Sequence, residues 1–148
     1  MLARTPTQGR ETQMAIIGWQ DAFSVGIEEI DAQHRKLIDI INNLHEAMRD
    51  KKAKGILGDI VNEMADYATL HFATEEKYLV AFGYPEIVVH ESEHNAFTKK
   101  VADLRERLAQ GTLVLSLEVI TFLRDWLTNH ILSSDKKYAP FLNSKGLQ

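Results

Sequence analysis

At 148 residues, with 45% hydrophobic and 26% charged side chains, the chain has the length and composition of one globular domain. A net charge of −4 without a basic block argues against nucleic-acid binding, and the absence of cysteine excludes disulfides, thiolate zinc sites and iron–sulfur clusters. Any metal must therefore be held by nitrogen and oxygen.

Residues Met1 to Gln13 are polar and lack the apolar stretch of a signal peptide, so 1–18 reads as a flexible extension. Met14 is as good a start as Met1. Trp19, Phe23, Val25 and Ile27 follow no helical period and read as an extended arm packed on the domain. Asp31 is the expected N-cap of a first helix over 31–49. A solvated turn, Asp50 to Gly55, leads to a second helix ending near Phe82, where Gly83 supplies the stop. Pro85 opens a third helix to about Ala109, which Gly111 ends. A fourth runs from Ser116 and fades at Ser133–Ser134. The tail, with Tyr138, Pro140 and Phe141, is expected to fold back over one end.

Short connections make neighbouring helices antiparallel, so the fold class is all-α, an up-down-up-down four-helix bundle with an extended N-terminal arm. Its domain spans 19–142, with 143–148 as a C-terminal tail. No apolar run reaches the ~20 residues that cross a bilayer. The expectations are a cytoplasmic monomer with no membrane insertion and no nucleic-acid partner.

The apolar seams of these helices contain a fault. They read Ile30, His34, Leu37, Ile41, Leu44; then Met64, Ala68, His71, Glu75, Tyr78, Phe82; then Ile87, His90, His94, Phe97, Val101; and Ile120, Leu123, Leu127, His130. Burying so many imidazoles and carboxylates is costly without a partner. His34 and His90/His94 lie near helix starts, His71/Glu75 and His130 near helix ends. In alternating directions these positions share one layer. Asp135 follows His130 by five residues, the wrong phase for an unbroken α-helix; either the helix ends or a wider turn brings it inward. For any one of these histidines a hydrogen-bonded core role is the better reading; for the whole set, metal binding is.

Five imidazoles and two carboxylates are too many for one four-coordinate zinc. They suit two octahedral ions, with iron favoured over manganese by the histidines. Five histidines, two bridging carboxylates and an oxo or hydroxo bridge leave one of about twelve coordination positions open. Leu127, Leu37, Phe97, Ile38 and Ala68 are expected to form a dry pocket beside it, with Tyr78 the one nearby proton donor. His45, ~16 Å further along the first helix than His34, is read as structural or surface. Glu76 is assigned to the solvated face and Trp126 to aromatic packing.

The chain resembles the hemerythrins, in particular the single-domain bacterial type, from Trp19 to Leu142. The resemblance is carried by Val25-Gly26-Ile27 and Ile30-Asp31-Ala32-Gln33-His34, and by His71-Phe72-Ala73-Thr74-Glu75-Glu76. Gly83-Tyr84-Pro85, His90 with His94, Asp125-Trp126-Leu127-Thr128-Asn129-His130-Ile131 and Asp135-Lys136 complete it. It implies one iron on His90, His94 and His130, a second on His34 and His71, and Glu75 and Asp135 bridging both. It places the open position on the iron with two histidines and matches Leu127 to a pocket leucine. The expected function is reversible dioxygen binding for storage, transport or delivery to an oxidase or other oxygen-consuming enzyme. No catalytic residue is assigned. The alternatives are a di-iron oxidase, a peroxide- or nitric-oxide-reducing enzyme, or an oxygen or iron sensor.

Overall fold

The computed structural model describes residues 17–148; the expected flexible extension lies, for 1–16, outside them. The described elements are a 3₁₀ turn at Asp21–Phe23, helices α1 (Glu28–Arg49), α2 (Ala53–Phe82), α3 (Ile87–Ala109) and α4 (Ser116–Trp126), a π-helical segment at Leu127–Asp135, and α5 (Lys136–Ser144). The four long helical stretches form the expected all-α bundle, with α2 packed on both α1 and α3 and α4 packed on α1.

The arm before α1 packs on the domain, as expected. Ile17 N–H donates to Asn42 Oδ1 at 2.9 Å, and Asn42 Nδ2 returns a bond to Ile17 O at 2.8 Å. The Arg35 guanidinium lies 4.1 Å over the Trp19 ring, and Phe23 is buried. Gly26 has φ +72, a left-handed backbone that favours glycine, and a Cβ there would meet Asn143 Nδ2 at 2.9 Å and displace that side chain.

Helix α1 begins three residues before the expected start. Ile27 holds the extended N-cap backbone, and Asp31 lies in the first helical turn. The Asp31 carboxylate instead reaches back, accepting from Ser24 Oγ at 2.5 Å and Val25 N–H at 2.8 Å. It is a staple for the arm rather than a cap for the helix. Glu28, Glu29 and Asp31 together complement the positive end of the helix dipole.

The glycine stop of α2 follows the expectation. Gly83 has φ 70 and ψ 42; its N–H donates to Val80 O at 3.2 Å, and Tyr84 N–H donates to Leu79 O at 2.9 Å. That pair of bonds satisfies the last carbonyls of the helix.

The fourth rod departs most from expectation. It does not fade at Ser133–Ser134 and the tail does not fold back. Leu127 and Lys136, at the two junctions, both have right-handed helical angles, so α4, the π segment and α5 run on to Ser144. The extension covers the bundle end by placing Tyr138, Ala139 and Leu142 against Val25, Ile27, Ile30, Leu79 and Tyr84. A second, larger apolar cluster fills the rest of the bundle, from Leu37 and Phe97 to Leu44 and Leu104. Along α1 the order Ile30, His34, Leu37 shows the consequence: the polar layer is sandwiched between two dry clusters.

Candidate metal centre

All seven polar seam residues converge, and none is more than 3% exposed. His34 comes from α1, His71 and Glu75 from adjacent turns of α2, and His90 and His94 from adjacent turns of α3. His130 and Asp135 come from the π segment. Its i→i+5 bonding widens the turn, so residues five apart face the same way. The wider turn thus accounts for the off-phase spacing of Asp135.

The two carboxylates occupy the middle and divide their oxygens. Asp135 Oδ2 lies 3.0 Å from His34 Nε2 and 3.8 Å from His71 Nε2. Its Oδ1 lies 2.9 Å from His130 Nε2 and 3.2 Å from His90 Nε2. Glu75 Oε1 lies 2.8 Å from His94 Nε2 and 3.2 Å from His90 Nε2, while its Oε2 is 3.3 Å from His71 Nε2. One group, Glu75 with His90, His94 and His130, and another, His34, His71, Glu75 and Asp135, each gather their ligand atoms within 4.8 Å. Glu75 belongs to both.

Four of the imidazoles are anchored from behind. His34 Nδ1 faces the Phe23 carbonyl at 2.9 Å and His71 Nδ1 faces Gln33 Oε1 at 2.7 Å. His94 Nδ1 faces Glu76 Oε2 at 2.9 Å and His130 Nδ1 faces Glu93 Oε1 at 2.7 Å. Every one of these oxygens can only accept, so Nδ1 carries the proton and Nε2 presents a lone pair inward. Gln33 is itself oriented, since its Nε2 donates to Thr74 Oγ1 at 3.0 Å.

The centre therefore points acceptors at acceptors. His71 Nε2, His130 Nε2 and Asp135 Oδ1 are buried without a hydrogen-bond partner, despite neighbours within 4 Å. Native interiors rarely leave such atoms orphaned. Cations placed between them would satisfy all three, and nitrogen with carboxylate oxygen is a donor set that suits iron. The residues fit the metal.

Electrostatics agree. Burial alone would raise the Glu75 carboxyl, but the neighbouring imidazoles, His71 first and then His130 and His90, hold it well below its ordinary value. For Asp135, burial and the nearby Glu75 push upward, yet His130 and His34 win and it too is held low. Conversely, burial pulls the imidazoles down, but the two carboxylates raise His71 and His90 to about 9 and His130 to about 10, so a proton and a metal ion compete for the same Nε2 lone pairs. The layer attracts positive charge.

Around the ligands sit residues that the seam pattern missed. Tyr138 is fully buried and donates its hydroxyl to Glu75 Oε2. Burial and the charges of Glu75 and Asp135 raise its phenol well above the usual range, so it stays a donor. Its position three residues after Asp135 was the available signal. Tyr78, the expected donor, is elsewhere: its hydroxyl bonds Glu29 Oε1 at 2.6 Å on the outside of the bundle. Glu76 is likewise not a purely solvated side chain, because it holds His94. Three aromatic rings stack on ligands: Phe72 on His94 at 3.9 Å, Trp126 on His130 at 4.0 Å and Tyr67 on His71 at 5.0 Å. Trp126 has the packing role expected of it, and its indole N–H donates to Tyr67 Oη at 3.3 Å. His45 belongs to neither ligand group.

The five expected pocket residues, Leu37, Ile38, Ala68, Phe97 and Leu127, are all buried in the larger apolar cluster. Ala68 also lines a groove of about 610 Å³ between α2 and α3 that reaches Phe72, Glu76 and His94.

Comparison with known proteins agrees with this geometry. The family model "Hemerythrin HHE cation binding domain" matches residues 25–142. A bacteriohemerythrin of Stenotrophomonas maltophilia is 40% identical over 126 residues, which are 85% of this chain and 81% of that one. One from Clostridium acetobutylicum is 36% identical over 81% of this chain and 96% of its own, and one from Methylococcus capsulatus is 32% identical over 88% and 100%. A crystal structure of wild-type hemerythrin superposes with a TM-score of 0.78 at 31% identity, covering 86% of this chain and 98% of that one. The chain belongs to the hemerythrin family, and its cofactor is a di-iron centre.

Proposed function

We propose that this protein binds dioxygen reversibly at its di-iron centre, for storage, transport or delivery to an oxygen-consuming enzyme. One iron would be held by His90, His94 and His130 and the other by His34 and His71, with Glu75 and Asp135 bridging. The observation that carries this reading is the unequal division of imidazoles around two shared carboxylates. It leaves the ion with two histidines a place for one small ligand. Two ferrous ions, when bound, supply two electrons jointly and that coordination place.

The protein's own groups favour binding over bond cleavage. Leu37, Ile38, Phe97 and Leu127 exclude water beside the layer, and Ala68 borders it. Tyr78 is turned away to Glu29, so it delivers no proton. Tyr138 is the observation that favours the second reading, an oxidase or a peroxide- or nitric-oxide-reducing enzyme, because its phenol touches a bridging carboxylate. Its hydroxyl is already committed to holding Glu75, which makes a positioning role the better account. Among the described residues no helix is long and apolar enough to cross a membrane; a cytoplasmic, monomeric carrier or store is part of the proposal.

The test is to reduce the iron-loaded protein without oxygen, then admit and remove oxygen through several cycles while recording the visible spectrum and iron content. A band that grows and fades reversibly supports binding. One-way oxidation with substrate turnover supports the enzyme. Fewer than two irons per chain overturns both.

A further inference from the structure

The two metal places are backed by unequal charge. Behind the place with three histidines, His94 Nδ1 donates to the Glu76 carboxylate at 2.9 Å and His130 Nδ1 to the Glu93 carboxylate at 2.7 Å. Behind the place with two, the acceptors are neutral: the Phe23 carbonyl at 2.9 Å and the Gln33 amide oxygen at 2.7 Å. A carboxylate draws on the Nδ1 proton more strongly than a carbonyl does, and leaves Nε2 a better electron donor. Two negative charges thus stand behind one place, and neutral groups behind the other.

The arrangement is held in position. Ser134 Oγ donates to the same Glu93 oxygen at 2.7 Å. Phe72 and Trp126 stack on the two carboxylate-backed rings, 7° and 13° from parallel, which fixes the ring orientations. Both carboxylates are about one-third exposed, at 34% and 33%, so water solvates one side of each while its bonded oxygen reaches a buried ring.

We infer that Glu76 and Glu93 are positioning residues that make the two irons unequal. The place formed by His90, His94 and His130 favours the ferric ion, and the place formed by His34 and His71 favours the ferrous ion. In the oxidation concerned, one electron leaves one Fe²⁺ for an electrode mediator, and the Nδ1 proton stays shared between imidazole and carboxylate. The inference rests on the di-iron reading of the same site.

The test compares iron-loaded wild type with Glu76→Gln and Glu93→Gln. Glutamine keeps the shape and still accepts the imidazole bond, as Gln33 does behind His71. The protein is titrated anaerobically with redox mediators, and its two one-electron steps are followed by optical and paramagnetic resonance spectra. Each variant is expected to move the first oxidation to higher potential by about tenfold in the ferric/ferrous equilibrium, ~59 mV for a one-electron couple, and to move the second less. Glu91→Gln removes a charge from the same turn of α3 without replacing a histidine partner and is expected to move neither.

Unshifted potentials, equal shifts of both steps, or a Glu91→Gln shift matching that of Glu93→Gln would overturn the inference. If a glutamine variant sheds iron, chelator competition replaces the titration: selective loss of one iron per chain supports it and loss of both overturns it. Wild type holding fewer than two irons would instead defeat the di-iron reading itself.

Discussion

His34 Nε2 and Asp135 Oδ2 lie 3.0 Å apart although 101 residues separate them in the chain. The contact joins the first turns of α1 to the end of the π segment. It makes the site a property of the closed bundle rather than of any one helix. Both residues are wholly buried, between the two apolar clusters on either side.

Glu75 belongs to both ligand groups. Replacing it with alanine removes a ligand from each place and leaves the Tyr138 hydroxyl buried without its acceptor. The Glu75→Ala protein is expected to fold with fewer than two irons per chain, as read by metal analysis. Retention of two irons would contradict its bridging role.

Leu127 is 4% exposed and lies one turn before His130. Leu127→Ala should open space beside the metals and admit water, accelerating one-way oxidation of the oxygen-loaded protein. Deleting a buried leucine side chain also costs about 2–5 kcal/mol, measurable by denaturant titration. A normal oxidation rate in the destabilised variant would remove Leu127 from the pocket.

Asp31 holds the arm that supplies the Phe23 carbonyl to His34. Asp31→Ala leaves the Val25 N–H without its acceptor, a loss of about 1–3 kcal/mol for a buried donor. The expected result is a lower urea midpoint with weaker iron retention. An unchanged midpoint would show that the staple contributes nothing.

Glu118 ties α4 to α3, accepting from Arg107 at 2.8 and 2.9 Å and from Lys100 at 2.7 Å. These bonds, Arg107's first, depress its carboxyl to about 2 from an ordinary 4.5. A depressed folded-state value means stability that is fully present above the unfolded value and lost as pH falls through the folded one. Because the network is exposed, solvent screens it and its contribution is small. Wild type should therefore exceed Glu118→Gln in urea midpoint above pH ~5 and converge with it as pH falls toward ~2. A constant difference across that range would show that the carboxylate charge is not responsible.

The candidate ligand layer was legible because polar residues broke an apolar rhythm, and the rhythm itself states which face is buried. Alternating helix direction then sufficed to place His34, His71, His90, His94 and His130 in one layer. Glycine at 83 and 111 marked the helix ends for a local reason, since the left-handed backbone they adopt is costly for other residues. Such signals lie within a few residues of the feature they specify.

The rest depends on distant partners. Asp31 reads equally well as a helix cap or a loop staple until Ser24 and Val25 are seen to bond it. Tyr78 has a seam phase, but α1 brings Glu29 to its hydroxyl, while Tyr138 reaches the site only because helix four continues past Asp135. The carboxylates behind His94 and His130 come from other helices, 18 and 37 residues away in sequence. Periodicity reports which side of a helix faces inward, and so it yielded the buried polar layer. Which oxygen meets which imidazole is set by the rotation and spacing of packed helices, and only the folded bundle decides that.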